Sequence, residues 1–150
     1  MSEKKQRMCV LLPCASNRRW AVPQSCLAEI LTLPAQGEAA PACVQWRGLS
    51  IPVMDFGAQG KLPFRDAQNG TCLIAVILGV RGSGCDYWGL ALRGSGLTVR
   101  HIDESECQDK PEALQEYSLA AFELDGQTYQ VPDLPALQGL ATEMDSAASA

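Results

Sequence analysis

Seven cysteines (Cys9, Cys14, Cys26, Cys43, Cys72, Cys85 and Cys107) and a single histidine, His101, are the side chains of this 150-residue sequence best suited to nucleophilic or acid–base chemistry. A thiol attacks as its thiolate and needs a base or a cation beside it, so every Cys–His or Ser–His–Asp arrangement must pass through His101. That residue lies in an apolar-alternating stretch with no Gly-x-Ser-x-Gly elbow, which reads as a plain strand position. Cys14 stands beside a polar turn and near Arg18 and Arg19, a setting that lowers a thiol pKa, but no acid or oxyanion donor is placed with it. The cysteine count is odd and contains no Cys-x-x-Cys pair, which argues against a disulfide framework and against zinc. Reduced, mostly buried thiols in a cytosolic protein fit better. Asp103, Glu104 and Glu106 crowd a polar loop and read as solvated negative surface, not as a cation site. Two copies of Arg-Gly-Ser-Gly, at 81–84 and 93–96, lack the Lys-Ser/Thr of a phosphate loop and the Gly-x-Gly-x-x-Gly of a dinucleotide fold. Their glycines suit hairpin turns. The expectation is no catalytic residue, no cofactor and no metal, with a cysteine-dependent enzyme or a small-ligand β-barrel as the alternatives.

The elements that would position these residues are short and extended. Met8–Pro13 and Trp20–Pro23 flank a polar cluster and predict a first hairpin. Ser25 caps a segment in which Leu27, Ile30 and Leu31 fall at helical spacing, so a helix of about two turns is expected up to Pro34. The stretch 35–41 reads as a loop. Val44–Arg47 and Ser50–Asp55 form a second hairpin, and Pro52, lacking a ladder donor, predicts an edge or a bulge there. A long connection over 56–70 leads to Thr71–Val80, apolar throughout and the best candidate for a fully buried strand. Tyr87–Leu92 and Leu97–Ile102 are further strands, and 103–115 is a polar connection. Asp125-Gly126 between Ser118–Leu124 and Gln127–Val131 is the clearest hairpin signal. Leu134, Leu137 and Leu140 predict a closing helix, and 142–150 reads as a disordered tail. About nine strands separated by turn clusters predict a mainly β fold of barrels or a sandwich.

Composition supports one packed domain: 47% of residues are hydrophobic and 19% charged, too apolar for a disordered chain. A net charge of −5 disfavours nucleic acid, whose phosphates demand clustered Lys and Arg. The apolar run Cys72–Val80 is about half the roughly 20 residues of a membrane span, so no direct membrane insertion is expected. Residues 1–7 carry Lys4, Lys5 and Arg7 but Pro13 and Arg18 interrupt the apolar stretch that a secretory signal needs, leaving a flexible leader.

One window resists a bland reading. In 44–57 a positive charge, a glycine turn and a strand proline are packed together; physics alone allows Arg47 to pair with Asp55 across the hairpin, and an edge there would offer a docking place. Arg47-Gly48, Ile51-Pro52-Val53 and Asp55 match in identity and spacing the signature of the CheW-like domain, approximately Asn-Leu-Arg-Gly-x-x-Ile-Pro-Val-x-Asp-Leu. Trp20-Ala21-Val22-Pro23, Leu27-Ala28-Glu29-Ile30-Leu31 and Tyr129–Leu134 resemble further elements of that family, over approximately residues 8–140. The resemblance implies two small five-stranded β-barrel subdomains intertwined in a single domain over 8–141, with a short helix after strand 2 and a C-terminal helix. It also implies a non-catalytic cytoplasmic adaptor, held at receptor arrays on the inner face of the membrane. Its partners would be the cytoplasmic tips of methyl-accepting chemoreceptors and the regulatory domain of a CheA-type histidine kinase. The interface-shaping residues would be Val22, Glu29, Ile30, Arg47, Gly48, Ile51, Pro52, Val53 and Asp55. Gln45-Trp46 stands where the family has Asn-Leu, and Arg93 stands where a Val-Asp pair commonly ends a strand. These departures suggest an accessory pathway, such as one governing type IV pilus twitching.

Overall fold

The computed structural model describes residues 6–15, 17–34, 40–57, 64, 70–82, 84–94 and 97–149. Residues 1–5 of the expected leader, most of the 35–41 loop and most of the 56–70 connection lie outside the described residues. The strands are β1 (Gln6–Ala15), β2 (Arg18–Pro23), β3 (Leu27–Pro34), β4 (Cys43–Trp46), β5 (Leu49–Met54), β6 (Thr71–Leu78), β7 (Tyr87–Leu92), β8 (Thr98–Asp103), β9 (Gln108–Asp109), β10 (Ser118–Leu124) and β11 (Gln127–Pro132). One helix, α1 (Leu134–Ser149), closes the described chain. The strands form two curled sheets, ordered β8-β1-β2-β11-β10-β9 and β3-β6-β7-β5-β4. The mainly β, two-barrel expectation holds, with six strands in the first sheet because the two-residue β9 is added at its edge.

Three apolar clusters explain why so many strands are hydrophobic on both faces. On β1, Val10, Leu12 and Cys14 point to a cluster between the sheets, while Leu11 joins one inside the six-stranded sheet with Ala21, Ile102 and Leu124. On β6, Ala75 and Ile77 face the shared cluster, while Cys72, Ile74 and Val76 fill the five-stranded sheet with Val44, Ile51 and Val53. A period of two with both faces covered removes the polar alternation, so Thr71–Leu78 reads as one apolar run. Trp20 and Trp88 are the largest side chains fully buried, and both sit in the shared cluster. Aromatic burial dominates core energetics, so this cluster binds the two barrels into one unit.

Three expectations need correction. The helix expected over Cys26–Leu31 is one 3₁₀ turn, Gln24–Cys26, followed by strand β3. A bulge between Leu27 and Glu29 slips the pairing with β6 by one residue, which puts Leu27 and Ile30, three apart, on the same face. That spacing imitates a helix. Pro52 lies in β5, an interior strand between β7 and β4, and not at an edge. Proline is tolerated because the parallel ladder to β7 begins at Val53, one residue past it. Finally, α1 continues past residue 141, where a tail was expected, because its second half is held. The buried Gln138 donates to the Val80 and Cys85 carbonyls at 2.8 and 3.0 Å, and the Thr142 hydroxyl accepts from the Cys85 amide at 3.0 Å. These bonds strap the helix to the β6–β7 connection. Gly84, at φ 130, is pressed against Thr142 and leaves no room for a Cβ.

The β1–β2, β4–β5 and β10–β11 hairpins form as expected, and 81–84 lies in the β6–β7 connection, but 93–96 turns no hairpin, because β7 and β8 belong to different sheets. Asp125 and Gly126 take φ of 51 and 78, the left-handed pair that a two-residue turn requires. The Asp133 carboxylate accepts from the Ala136 amide at 3.2 Å and caps the start of α1.

Candidate functional site

The β4–β5 hairpin presents the signature residues at the seam of the five-stranded barrel. Arg47 and Gly48 make its turn with φ of 47 and 79, so Arg47 holds a left-handed conformation that an ordinary residue rarely takes. The Arg47 guanidinium lies 4.7 Å from the Trp46 ring centre and 3.4 Å from a Glu29 carboxylate oxygen. Trp46 donates its indole Nε1–H to the same oxygen at 3.4 Å and packs on Tyr87 at 4.8 Å between ring centres. Glu29 lies on β3 and Trp46 on β4, the two opposite edges of the sheet. One carboxylate therefore draws the edges together and closes the barrel. A leucine at position 46 has no donor for this bond, so the departure from the family signature carries a local function.

The electrostatics of this seam are those of a surface. Arg47 is 70% exposed and Glu29 43%, and a pair so solvated contributes at most about 1 kcal/mol. Stacking on Trp46 adds roughly 0.5–1 kcal/mol and fixes the guanidinium plane. The arrangement displays charge more than it stabilises. Beneath it, Ile51 and Val53 are buried with Val44 and Trp46 in the barrel interior. Leu49, beside the turn, stays largely exposed.

Asp55 is elsewhere. The length of β5, about 20 Å of extended chain, separates it from Arg47, so the pairing that physics alone allowed across the hairpin does not form. Its carboxylate instead accepts two bonds from Arg93, from Nε at 2.8 Å and from Nη2 at 2.5 Å, and a third from the Gly57 amide at 3.1 Å. Only 6% of the Arg93 side chain and 14% of the Asp55 side chain remain exposed. The hydrogen bonds that Arg93 donates to Asp55 raise its pKa further, against the opposing effect of burial. Arg93 was visible in the sequence as the start of the second Arg-Gly-Ser-Gly segment and as a departure from the family pattern. Its pairing with Asp55, 38 residues away, was not.

Val22 and Ile30 form a third group. Val22 is buried in the shared inter-barrel cluster and Ile30 packs against it, so they support the relation of the barrels and do not line the hairpin surface. Near them Arg18 lies over the Trp20 and Phe56 rings at 5.3 and 4.9 Å and donates to the Glu116 carbonyl at 3.0 Å.

The residues of possible chemistry are not assembled. Cys14 is fully buried and its thiol donates to the Leu12 carbonyl at 3.7 Å. Burial pushes its pKa well up, more than nearby Arg18 pulls it down, so the setting that was expected to favour a thiolate opposes one. Burial also raises the thiols of Cys72, Cys85 and Cys107. His101 is exposed on β8, across from Met8. Among the described residues no three His, Cys, Asp or Glu side chains are grouped to hold a metal. A cavity of about 440 Å³ opens in the six-stranded barrel, walled largely by apolar side chains such as Ile102, Phe122 and Val131, with Glu104 and Asp109 among its lining. Ala21, Pro23 and Val131, from elements that resemble the family, line it, but none of the nine expected interface-shaping residues does.

Comparison with known proteins converges on one family. The model of the CheW-like domain matches residues 9–140. No curated protein gives a significant match. Among solved structures, the crystal structure of the scaffolding protein TtCheW from Thermoanaerobacter tengcongensis aligns with a TM-score of 0.57 at 13% identity, covering 84% of this chain and 88% of that one. At that identity the likeness concerns the fold.

Proposed function

The chain belongs to the CheW-like domain family, and from that premise we propose that it is a non-catalytic adaptor coupling the cytoplasmic tips of methyl-accepting chemoreceptors to the regulatory domain of a CheA-type histidine kinase. The observation that carries this reading is the barrel seam, where the exposed Glu29 and Arg47 pair and the Arg47 guanidinium stacks on the buried Trp46. Arginine is enriched among the residues that dominate protein–protein binding, and here its guanidinium is set against an indole before any partner arrives. The receptor tip docks in the groove between the barrels and a barrel end meets the kinase, so a shift of the receptor biases the kinase through differences in contact. No bond is made or broken.

The adaptor works in the cytoplasm, at receptor arrays on the inner face of the membrane. Among the described residues no helix is long and apolar enough to cross a membrane. Trp46 and Arg93, where the chain leaves the family pattern, lead us to assign it to an accessory chemosensory pathway such as one driving type IV pilus twitching. The test is capture of a kinase regulatory domain and a receptor tip from the same cell, by the unaltered protein and by Arg47→Ala. Capture of both by the unaltered protein, weakened in the variant, is expected. Capture of neither removes the reading.

A further inference from the structure

The cavity of about 440 Å³ in the six-stranded barrel owes its room to small side chains: Ala21 on β2 and Ala120 and Ala121 on β10 line it where larger residues would fill a barrel. Ile102, Phe122 and Val131 supply apolar walls. The charged part of the lining is of one sign. Glu104 and Asp109, both exposed, border the cavity, and among the described residues no Lys, Arg or His does. Backbone bonds place both carboxylates. Asp103 accepts from the Ser105 amide at 3.1 Å and so caps the 3₁₀ turn that carries Glu104. Strand β9 sets Asp109 directly opposite Phe122 of β10, so the two side chains share a face of the sheet. The nearby cations are engaged with other carboxylates: Arg100 with Glu106 at 3.2 Å and Asp125 at 2.6 Å, and Lys110 with Glu123 at 3.6 Å. Among the described residues Glu104 and Asp109 pair with no cation.

We propose that this cavity binds a small organic cation with an apolar body, an arylalkyl amine whose ring fills the space left by the alanines and whose ammonium meets Glu104 and Asp109. A largely apolar concavity with a few polar groups to fix orientation is the usual form of a small-ligand site, and such sites span roughly 300–1,000 Å³. Charge then selects within that class. An apolar anion would add a third negative charge beside two carboxylates, and a neutral ligand would leave both without a counter-charge. An ammonium offers charge-assisted bonds to either one. The Glu29–Arg47 seam lies on the other sheet, so this site can fill whether or not a protein partner is docked at the seam.

Three indoles of one shape and different charge provide the test on the full chain: tryptamine, a cation; tryptophol, neutral; and indolepropionate, an anion. Each is titrated into protein labelled at its methyl groups and followed by nuclear magnetic resonance. Saturable shifts are expected at the Ile102, Val131 and Ala120 methyls, with tryptamine bound about tenfold or more tighter than tryptophol and indolepropionate weakest of all. Glu104→Gln combined with Asp109→Asn is expected to lower tryptamine to the affinity of tryptophol and to leave tryptophol unchanged. Ala120→Leu occupies the cavity and is expected to weaken both by about tenfold or more. The carboxylate variants alter only exposed side chains and keep the test open if the leucine variant does not fold. Equal affinity for the three indoles, shifts confined to other surfaces, or no saturation below about 10 mM overturns the site. Capture of a kinase domain or receptor tip, or self-association of the chain, that Ala120→Leu abolishes while no indole binds gives the cavity to a protein partner and overturns it equally.

Discussion

Two arginines of this molecule each pair with a carboxylate from the signature elements, and their settings are opposite. Arg47 meets Glu29 at 3.4 Å in the open, 70% and 43% exposed, whereas Arg93 meets Asp55 at 2.5 Å with 6% and 14% exposed. The solvated pair is screened by water and salt and contributes little to folding. The buried pair is strong only because its geometry is complete, and losing either partner strands the other. The first presents a surface; the second ties together the ends of β5 and β7 inside the fold.

The contrast is broken most directly at Arg93. Arg93→Met leaves the Asp55 carboxylate buried without its guanidinium and is expected to destabilise the fold by about 3–5 kcal/mol in denaturant titrations. Replacing both partners by apolar residues of similar volume should recover most of that loss. A loss under about 1 kcal/mol for the single variant would put the two arginines in one class. Gly57→Ala attacks the same pairing by crowding, since the added methyl meets the Cys14 carbonyl and the Arg93 side chain. A cost of about 1–3 kcal/mol is expected, read by the same titration, with the larger value if the Asp55 bonds are displaced.

The dryness that strengthens the buried pair also acts on Cys14, beside it. Burial raises the folded-state pKa of this thiol, so the unfolded chain ionises first, near the ordinary value of about 8.5. Folding stability is therefore complete below that pH and falls as pH climbs above it, until the folded pKa is reached. Melting temperatures between pH 7 and 10 should decline, and Cys14→Ala should make the decline shallower. A slope untouched by that substitution would mean that water reaches the thiol.

How much of this was legible in the sequence depended on how far apart the interacting residues lie. The Asp125-Gly126 hairpin, the Arg47-Gly48 hairpin and the buried strand β6 could be read because their signals are local: turn glycines and an apolar run. Strand β3 was lost because the bulge at Leu27–Glu29 converts a period of two into an apparent period of three and four. The seam residues Glu29 and Arg47 came through the family signature, but their joint hold on Trp46, 17 residues from Glu29, needed coordinates. The Arg93–Asp55 pairing was hidden most completely. Each residue alone looks like surface charge, and only folding brings them together in a dry place.

The smallest effect sharpens the comparison from the other side. Arg47→Ala removes an exposed ion pair and a cation stacked on Trp46, and leaves a residue with a Cβ at the left-handed turn position. Stability should change by less than about 1 kcal/mol, and the Arg47–Glu29 coupling in a double-mutant cycle should shrink further as salt rises. Gly at the same position suits the turn better than alanine, so Arg47→Gly should be the more stable of the two variants while losing the same guanidinium. If capture of partners falls equally in both variants despite their different stabilities, Arg47 acts through what it displays. If capture instead follows stability, the hairpin is only a turn, and the seam has no claim to be the docking surface.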